Sequence, residues 1–368
     1  MSYTCQKYGH RHSIYCLIPP YVLDKIINGG DEEQRASALK TKSLDSTFRA
    51  MRLSSITSRA ATPQMPTSFN ASPEMSITIY DAQNQQNLPG TPVDVNTSND
   101  DAVREAYNGL KATFEFFEDV YGRNSIDDEG MPLIATVHYD EDYNNAFWNS
   151  QQMVFGDGDG KLFNRFTLSL DVIGHELTHG VTEDEAQLVY FQQSGALNES
   201  MSDVFGSLIR QYVNKETADQ ADWLVGKGLL IQHPTDPENN IRTAIRSMSE
   251  PGTAFNDENG EKLLGKDPQP GHMKDYVDTF SDQGGVHINS GIPNKAFYLV
   301  ATRMGGYAWE KAGRIWYRTL ISNQLKPIAK FRRFARISED VTTTMYGHGS
   351  EEHKIVRESW KDVGVNLP

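Results

Sequence analysis

Asp171-Val172-Ile173-Gly174-His175-Glu176-Leu177-Thr178-His179-Gly180 sets two histidines four residues apart, with a glutamate directly after the first. Four helical residues turn about 400°, so His175 and His179 project from one face, a turn apart. Two neutral imidazoles so placed can chelate one Zn²⁺, and Glu176 is carried beside them as a base for water. A chance helix with two surface histidines would show the same five residues, so the motif needs support. Catalytic zinc takes three protein ligands. The next helix-like stretch, Ser194-Gly195-Ala196-Leu197-Asn198-Glu199-Ser200-Met201-Ser202-Asp203, offers a third. Leu197, Met201, Val204, Phe205, Leu208, Ile209 and Tyr212 recur there at helical spacing and give it a buried face. Glu199 and Asp203, again four apart, can both point at the first helix. Glu199 reads as the third ligand and Asp203 as the carboxylate that orients a ligand histidine. The competing reading is a solvated acidic edge.

The chain has 368 residues, enough for two domains of ordinary size. Hydrophobic residues make up 38%, and no apolar run approaches the ~20 residues of a membrane span. The formal charge of −14 argues against nucleic acid or an anionic membrane as partner. That charge is uneven: residues 1–52 hold eight Lys/Arg and five Asp/Glu, net +3, which leaves −17 on the rest. Both cysteines, Cys5 and Cys16, lie in this basic segment, so the body has no disulfide. Cys5, His10, His12 and Cys16 fit no zinc spacing well and read as free thiols and exposed histidines. Residues 1–30 lack the apolar core of a secretory signal, which points to a precursor that folds in the cytoplasm.

In chain order, residues 1–52 form a separate unit, with a helix opened by Pro19-Pro20. Residues 53–73, rich in Ser, Thr, Ala and Pro, read as a linker open to proteolysis. Ile77-Thr78-Ile79-Tyr80 and residues 133–139 read as strands, with His138 a packed or edge histidine. Ala102, Ala106, Leu110, Phe114 and Phe117 make the core stripe of a helix starting at Asp100. Asp157-Gly158-Asp159-Gly160 lacks the rest of a calcium loop and reads as a tight turn. From Leu170 onward the pattern turns helical, with further helices expected over 221–230, 294–303, 307–320 and 351–361.

With four separated blocks in order, the chain resembles the thermolysin-like zinc metalloproteases, more closely their protealysin-type branch with a short pro-segment. The blocks are Tyr143-Asn144-Asn145-Ala146-Phe147-Trp148, Gly156-Asp157-Gly158-Asp159-Gly160, the helix pair above, and Gly284-Gly285-Val286-His287-Ile288-Asn289-Ser290-Gly291. The resemblance implies an α+β fold of two lobes. The first, 74–190, is β-rich and includes the motif helix; the second, 191–368, is mainly α-helical, and the motif helix lies between them. It implies a secreted zinc endopeptidase, made with a pro-segment (1–52) that covers the cleft and is removed by the enzyme itself within the 53–73 linker.

By the same resemblance one zinc sits on His175, His179 and Glu199, Glu176 is the general base, and Tyr190 and His287 are oxyanion donors. Asp282 orients His287. Asn145 and Ala146 grip an extended substrate backbone, and Arg246 holds a carbonyl beyond the scissile bond. Phe163, Phe166, Val172 and Ile245 form an apolar pocket that favours cleavage before bulky hydrophobic residues. Asp171 and Asp222 match two ligands of the family's double calcium site, but Arg210, Leu224 and Lys227 stand where further acids would be. A basic side chain cannot ligate calcium, so occupancy of that site is doubtful. Peptides and proteins are the expected substrates, and a monomer the expected state. Two rival readings are a narrow-specificity zinc aminopeptidase and a non-enzymatic binding module with a permanent N-terminal arm.

Overall fold

The computed structural model describes residues 15–57, 75–231, 244–255 and 263–367, with backbone alone for 49–57. Cys5, His10, His12 and most of the expected linker lie outside the described residues. By contacts the chain divides into two units, 1–118 with 122–168, and 119–121 with 169–368.

The first unit is built on a sheet. Its strands are β1 (Tyr15–Cys16), β2 (Ile77–Asp81), β3 (Thr91–Val93), β4 (Leu133–Val137), β5 (Ala146–Trp148) and β6 (Met153–Phe155), ordered β1-β5-β6-β4-β2-β3. The β-branched run Ile77-Thr78-Ile79 pairs in parallel with β4, Ile77 opposite Leu133 and Asp81 opposite Val137. β1 comes from the basic N-terminal segment and lies antiparallel to β5, with Tyr15 opposite Trp148 and Cys16 opposite Phe147. The segment continues as α1 (Pro20–Gly29), opened by a proline whose fixed φ suits the first turn, and α2 (Glu32–Thr57). Leu44 and Phe48 of α2 pack on a core of Cys16, Ala82, Tyr139, Tyr143, Phe147 and Val154. Helix α2 runs past residue 52, so the first five residues of the expected linker are helical.

Helix α3 (Asp101–Tyr121) starts where Asp100 accepts from the backbone N–H of Ala102 and Val103, and stops at left-handed Gly122. Its expected apolar stripe is buried. His138 follows β4 in the left-handed region, with Nδ1 2.7 Å from Asp157 Oδ2 and Nε2 2.9 Å from Asp100 Oδ2. It is a clamped, half-buried histidine. Asp159 Oδ1 accepts from the N–H of Lys161, Leu162 and Phe163, which makes Asp157–Gly160 the expected turn.

The second unit is mainly helical. Helices α4 (Leu170–Glu185) and α5 (Gln192–Asn214) pack closely because glycines face the contact. A Cβ at Gly206 would lie 2.3 Å from the Asp171 carbonyl oxygen, and one at Gly174 2.6 Å from Ile209 Cδ1. This packing groups the motif helix with 169–368 rather than with the β-rich unit, where the sequence reading put it. The helix expected over 221–230 is absent: β7 (Leu224–Val225) pairs antiparallel with β8 (Arg246–Ser247). Gly226 and Gly228 follow with positive φ, which a helix cannot use.

Next come α6 (Asp282–Asn289), α7 (Gly291–Met304), α8 (Ala312–Leu320), α9 (Phe331–Tyr346) and α10 (Glu351–Asp362). Helix α8 begins later than expected, because Tyr307 and Trp309 stack in a turn behind Gly305 and Gly306. Trp316 of α8 stacks on Trp360 of α10, whose indole N–H donates to Ser338 of α9. Among the described residues no helix is long and apolar enough to cross a membrane.

Candidate active site

Helix α4 presents His175 and His179 on the face that meets α5, and α5 returns Glu199 to the same point. All three are wholly buried, and one ligand atom from each lies within 4.8 Å of the others. His175 Nε2 is 3.1 Å from His179 Nε2, and Glu199 reaches the pair at 3.6 Å and 3.4 Å. The opposite nitrogens decide what this arrangement wants. His175 Nδ1 is 2.8 Å from Asp203 Oδ1, a carboxylate that can only accept. His179 Nδ1 is 2.7 Å from Asn198 Oδ1, whose amide is turned that way by its bond to the Leu188 carbonyl. Both Nδ1 atoms are therefore donors and both Nε2 atoms carry lone pairs. These lone pairs meet each other and a carboxylate whose Oε2 is buried with no hydrogen-bond partner among the described residues. Only a cation stabilises such a convergence away from water, and two imidazoles with one carboxylate suit zinc.

Asp203 is a hub. It accepts from His175, from Arg246 Nε (2.9 Å) and Nη2 (2.8 Å), and from Asn294 Nδ2 (2.8 Å), all fully buried. Burial alone would raise its pKa, but Arg246 and His175 outweigh that and hold it far below the usual carboxylate range. A sequence carries no sign that one carboxylate serves both a ligand histidine and Arg246.

Beyond the three donors stand Tyr190 and His287. The Tyr190 hydroxyl donates to Glu199 Oε1 and lies 3.1 Å from His287 Nε2. His287 is placed by a turn in which Asp282, Gln283, Gly284 and Gly285 all take positive φ. Side chains at the two glycines would strike Gln192 and Asn289. This turn lets Asp282 bond His287 twice, through the backbone N–H at 2.8 Å and Nδ1 at 2.6 Å. Burial disfavours a charged His287, yet Asp282 and Glu199 raise its pKa above the usual value. Glu176, directly after His175, is wholly buried. Gln269 donates to the His287 carbonyl at 2.7 Å. Asn198, Asn294 and Gln269 escaped the sequence reading; only Asn198, adjacent to Glu199, stood where a search would look.

Residues 15–365 carry matches to three family models. These are protealysin propeptide over 15–41, thermolysin metallopeptidase catalytic domain over 39–183, and thermolysin metallopeptidase alpha-helical domain over 186–365. The chain belongs to the thermolysin family of metallopeptidases. It is 50% identical to an extracellular metalloprotease of Pectobacterium carotovorum subsp. carotovorum over 96% of this chain and 97% of that one. It is 48% identical to protease PrtS of Photorhabdus over 95% and 92%. Its fold matches the precursor of protealysin, a metalloproteinase from Serratia proteamaculans, with a TM-score of 0.83 and 49% identity. That match covers 95% of this chain and 99% of the other. The chain is thus a zinc metalloendopeptidase with a propeptide, and the two-lobed α+β expectation is met by a β-containing first unit and a helical second.

In the first unit the propeptide occupies the strand that the sequence reading assigned to substrate. Asn145 Oδ1 accepts from the Ile18 N–H at 2.9 Å, and its Nδ2 donates to buried Asp45 at 2.8 Å. The Ala146 carbonyl accepts from the Leu17 N–H. Along α2, Ser37, Thr41 and Asp45, one turn apart, bond Asn144, Asn144 and Tyr143. Phe163 and Phe166 are buried beside each other in this unit, ring centroids 5.9 Å apart. Val172 and Ile245 are buried in the second unit.

Asp171, Asp222, Arg210 and Lys227, weighed above for calcium, form an ion-pair cluster. Arg210 Nη1 is 2.7 Å from Asp171 Oδ2, Arg210 Nη2 is 2.6 Å from Asp222 Oδ1, and Lys227 is 2.9 Å from Asp222 Oδ2.

Proposed function

We propose that His175, His179 and Glu199 hold one zinc, and that Glu176, Tyr190 and His287 carry peptide hydrolysis around it. The convergence of two histidine lone pairs on the Glu199 carboxylate is the observation that supports this reading most. Zinc there supplies Lewis acidity to the scissile carbonyl and to water. Glu176 takes the proton of the attacking water and hands it to the leaving amine. Tyr190 and His287 donate to the oxyanion as it develops, each such donor worth about 2.7–4 kcal/mol. Asp282 on Nδ1 favours the charged imidazole, which has an Nε2 proton to give. Arg246, held flat by Asp203, is the donor for a substrate carbonyl beyond the scissile bond.

Substrate pairs with β5 in place of β1, main-chain bonds giving affinity and Asn145 and Ala146 fixing the backbone. The pro-segment, residues 1 to about 52, therefore blocks by occupying substrate's own bonds. Self-cleavage between 53 and 73 releases it. Apolar Phe163, Phe166, Val172 and Ile245 favour cleavage before bulky hydrophobic residues. Arg210 and Lys227 stand in for calcium by neutralising Asp171 and Asp222. Export follows the extracellular relatives, and the mature enzyme acts as a monomer.

The test is digestion of a long unlabelled protein by the purified enzyme, with peptides mapped by mass. Internal cuts before Leu, Phe or Ile, abolished by a zinc chelator and restored by zinc, are expected. Cuts confined to chain ends would favour an aminopeptidase. Chelator-insensitive digestion, or none with zinc bound, would defeat the mechanism.

A further inference from the structure

Residues 326–336 carry Lys326, Lys330, Arg332, Arg333 and Arg336 and no acidic residue, on a chain whose net charge is −14. These five cations line one open cavity of about 550 Å³, whose apolar walls are Ile328, Ala329 and Leu367. That volume falls within the roughly 300–1,000 Å³ of ordinary ligand sites. Arg357 fixes the Leu367 wall by donating to its carbonyl. All five cations are exposed, and Ile328 is 76% exposed.

Elsewhere in this unit Arg210, Lys227, Arg246, Arg303, Lys311 and Arg357 each sit against a carboxylate. In the cavity only Arg336 does, toward Asp340 and Glu339. Lys326, Lys330, Arg332 and Arg333 have no acidic partner among the described residues. Helix α9 also begins without an acidic residue in its first turn. Like charges so gathered repel, and nothing in the fold requires them there. They do create one positive, partly apolar trough on a molecule that otherwise repels acidic chains.

We propose that this trough is an exosite for acidic polypeptide segments, which docks protein substrates bearing Asp/Glu-rich stretches away from the scissile bond. The apolar walls receive the methylene stems of glutamate and its apolar neighbours, while the guanidinium forks take carboxylates. The inference rests on the endopeptidase reading for its purpose but not for its binding chemistry.

Two readouts test it, with Lys330→Gln/Arg332→Gln/Arg333→Gln as the variant. All three positions are exposed and outside the catalytic residues. First, fluorescein-labelled octaglutamate, which offers no hydrophobic residue to cleave, is titrated against parent and variant by anisotropy. The parent should bind in a salt-sensitive manner, and the variant roughly tenfold more weakly. Second, two peptides share one neutral scissile segment and differ in an octaglutamate or octaserine tail. The parent should prefer the acidic tail through a lower KM, and the variant should lose the preference while cutting the serine-tailed peptide at the parent's rate. Equal octaglutamate affinity in parent and variant would overturn the exosite. So would binding of inorganic pyrophosphate without octaglutamate, which would mark a phosphate site instead. If neither peptide is cut yet octaglutamate binding is lost in the variant, the exosite stands and the endopeptidase reading fails.

Discussion

Asp171, in the first turn of α4, is wholly buried, and the Arg210 guanidinium spans it and Asp222. Removing one partner of a buried pair leaves the other charge uncompensated, so Arg210→Gln should cost about 3–5 kcal/mol of stability by urea titration. With Arg210 and Lys227 already supplying positive charge, added calcium should leave the parent's melting temperature where it is. A large rise would show that the carboxylates still recruit the ion.

His138 gives the molecule an alkaline weakness. Its bond to Asp157, offset in part by burial and helped by Asp100, lifts its pKa to about 9. Because the folded value lies above the unfolded one, near 6.5, the stabilisation is complete below about pH 6.5 and is lost as pH rises through about 9. Its two aspartate partners are more than a third exposed, which limits the contribution to about 1–2 kcal/mol after screening. Denaturant midpoints should fall between those pH values, and His138→Gln should flatten that fall. Among single residues, the metal donors were legible because helical spacing alone brings His175 and His179 together. Asn198, Asn294 and Gln269 were not, since an amide that turns a ligand or a carboxylate leaves no pattern in sequence.

At the level of elements, α2 bonds the residues leading into β5, the strand proposed to pair with substrate. Asp45 accepts from both Tyr143 and Asn145, so Asp45→Ala strands two buried donors at a cost of roughly 1–3 kcal/mol. The pro-segment should then leave sooner, seen as faster appearance of the shortened chain on a gel time course. An unchanged rate would mean that β1 alone keeps the segment in place.

Elements with one strong period were readable: the α3 stripe, capped by Asp100 and Gly122, and the α4–α5 pair, whose glycines permit close approach. Residues 221–230 misled because Trp223, Leu224 and Val225 look like a helical face until Gly226 and Gly228 impose a turn. Helix α9 went unread because its buried Phe331, Phe334, Ala335 and Ile337 are interleaved with the cations that line the basic trough.

For the molecule as a whole, composition told of a basic segment on an acidic body, and the structure adds where that segment goes in its own unit. Two positive regions stand out on the acidic chain. One is the pro-segment itself, net +3 over residues 1–52. The other, at 326–336, is reserved for partners from outside. What composition could not reveal is that the segment's Cys16 and Leu44 complete the core of the unit they pack against. Loss of the segment should therefore lower the first unit's resistance to heat, measurable by calorimetry of full-length against processed enzyme.

The central claim, that this site cuts peptide bonds and begins with its own chain, is tested most directly by the intact mass of Glu176→Gln. The substitution keeps the metal donors and the side chain's size while removing the base. The account predicts a chain that stays at 41.3 kDa while the parent shortens. A Glu176→Gln chain that shortens unaided in a protease-free preparation would contradict it.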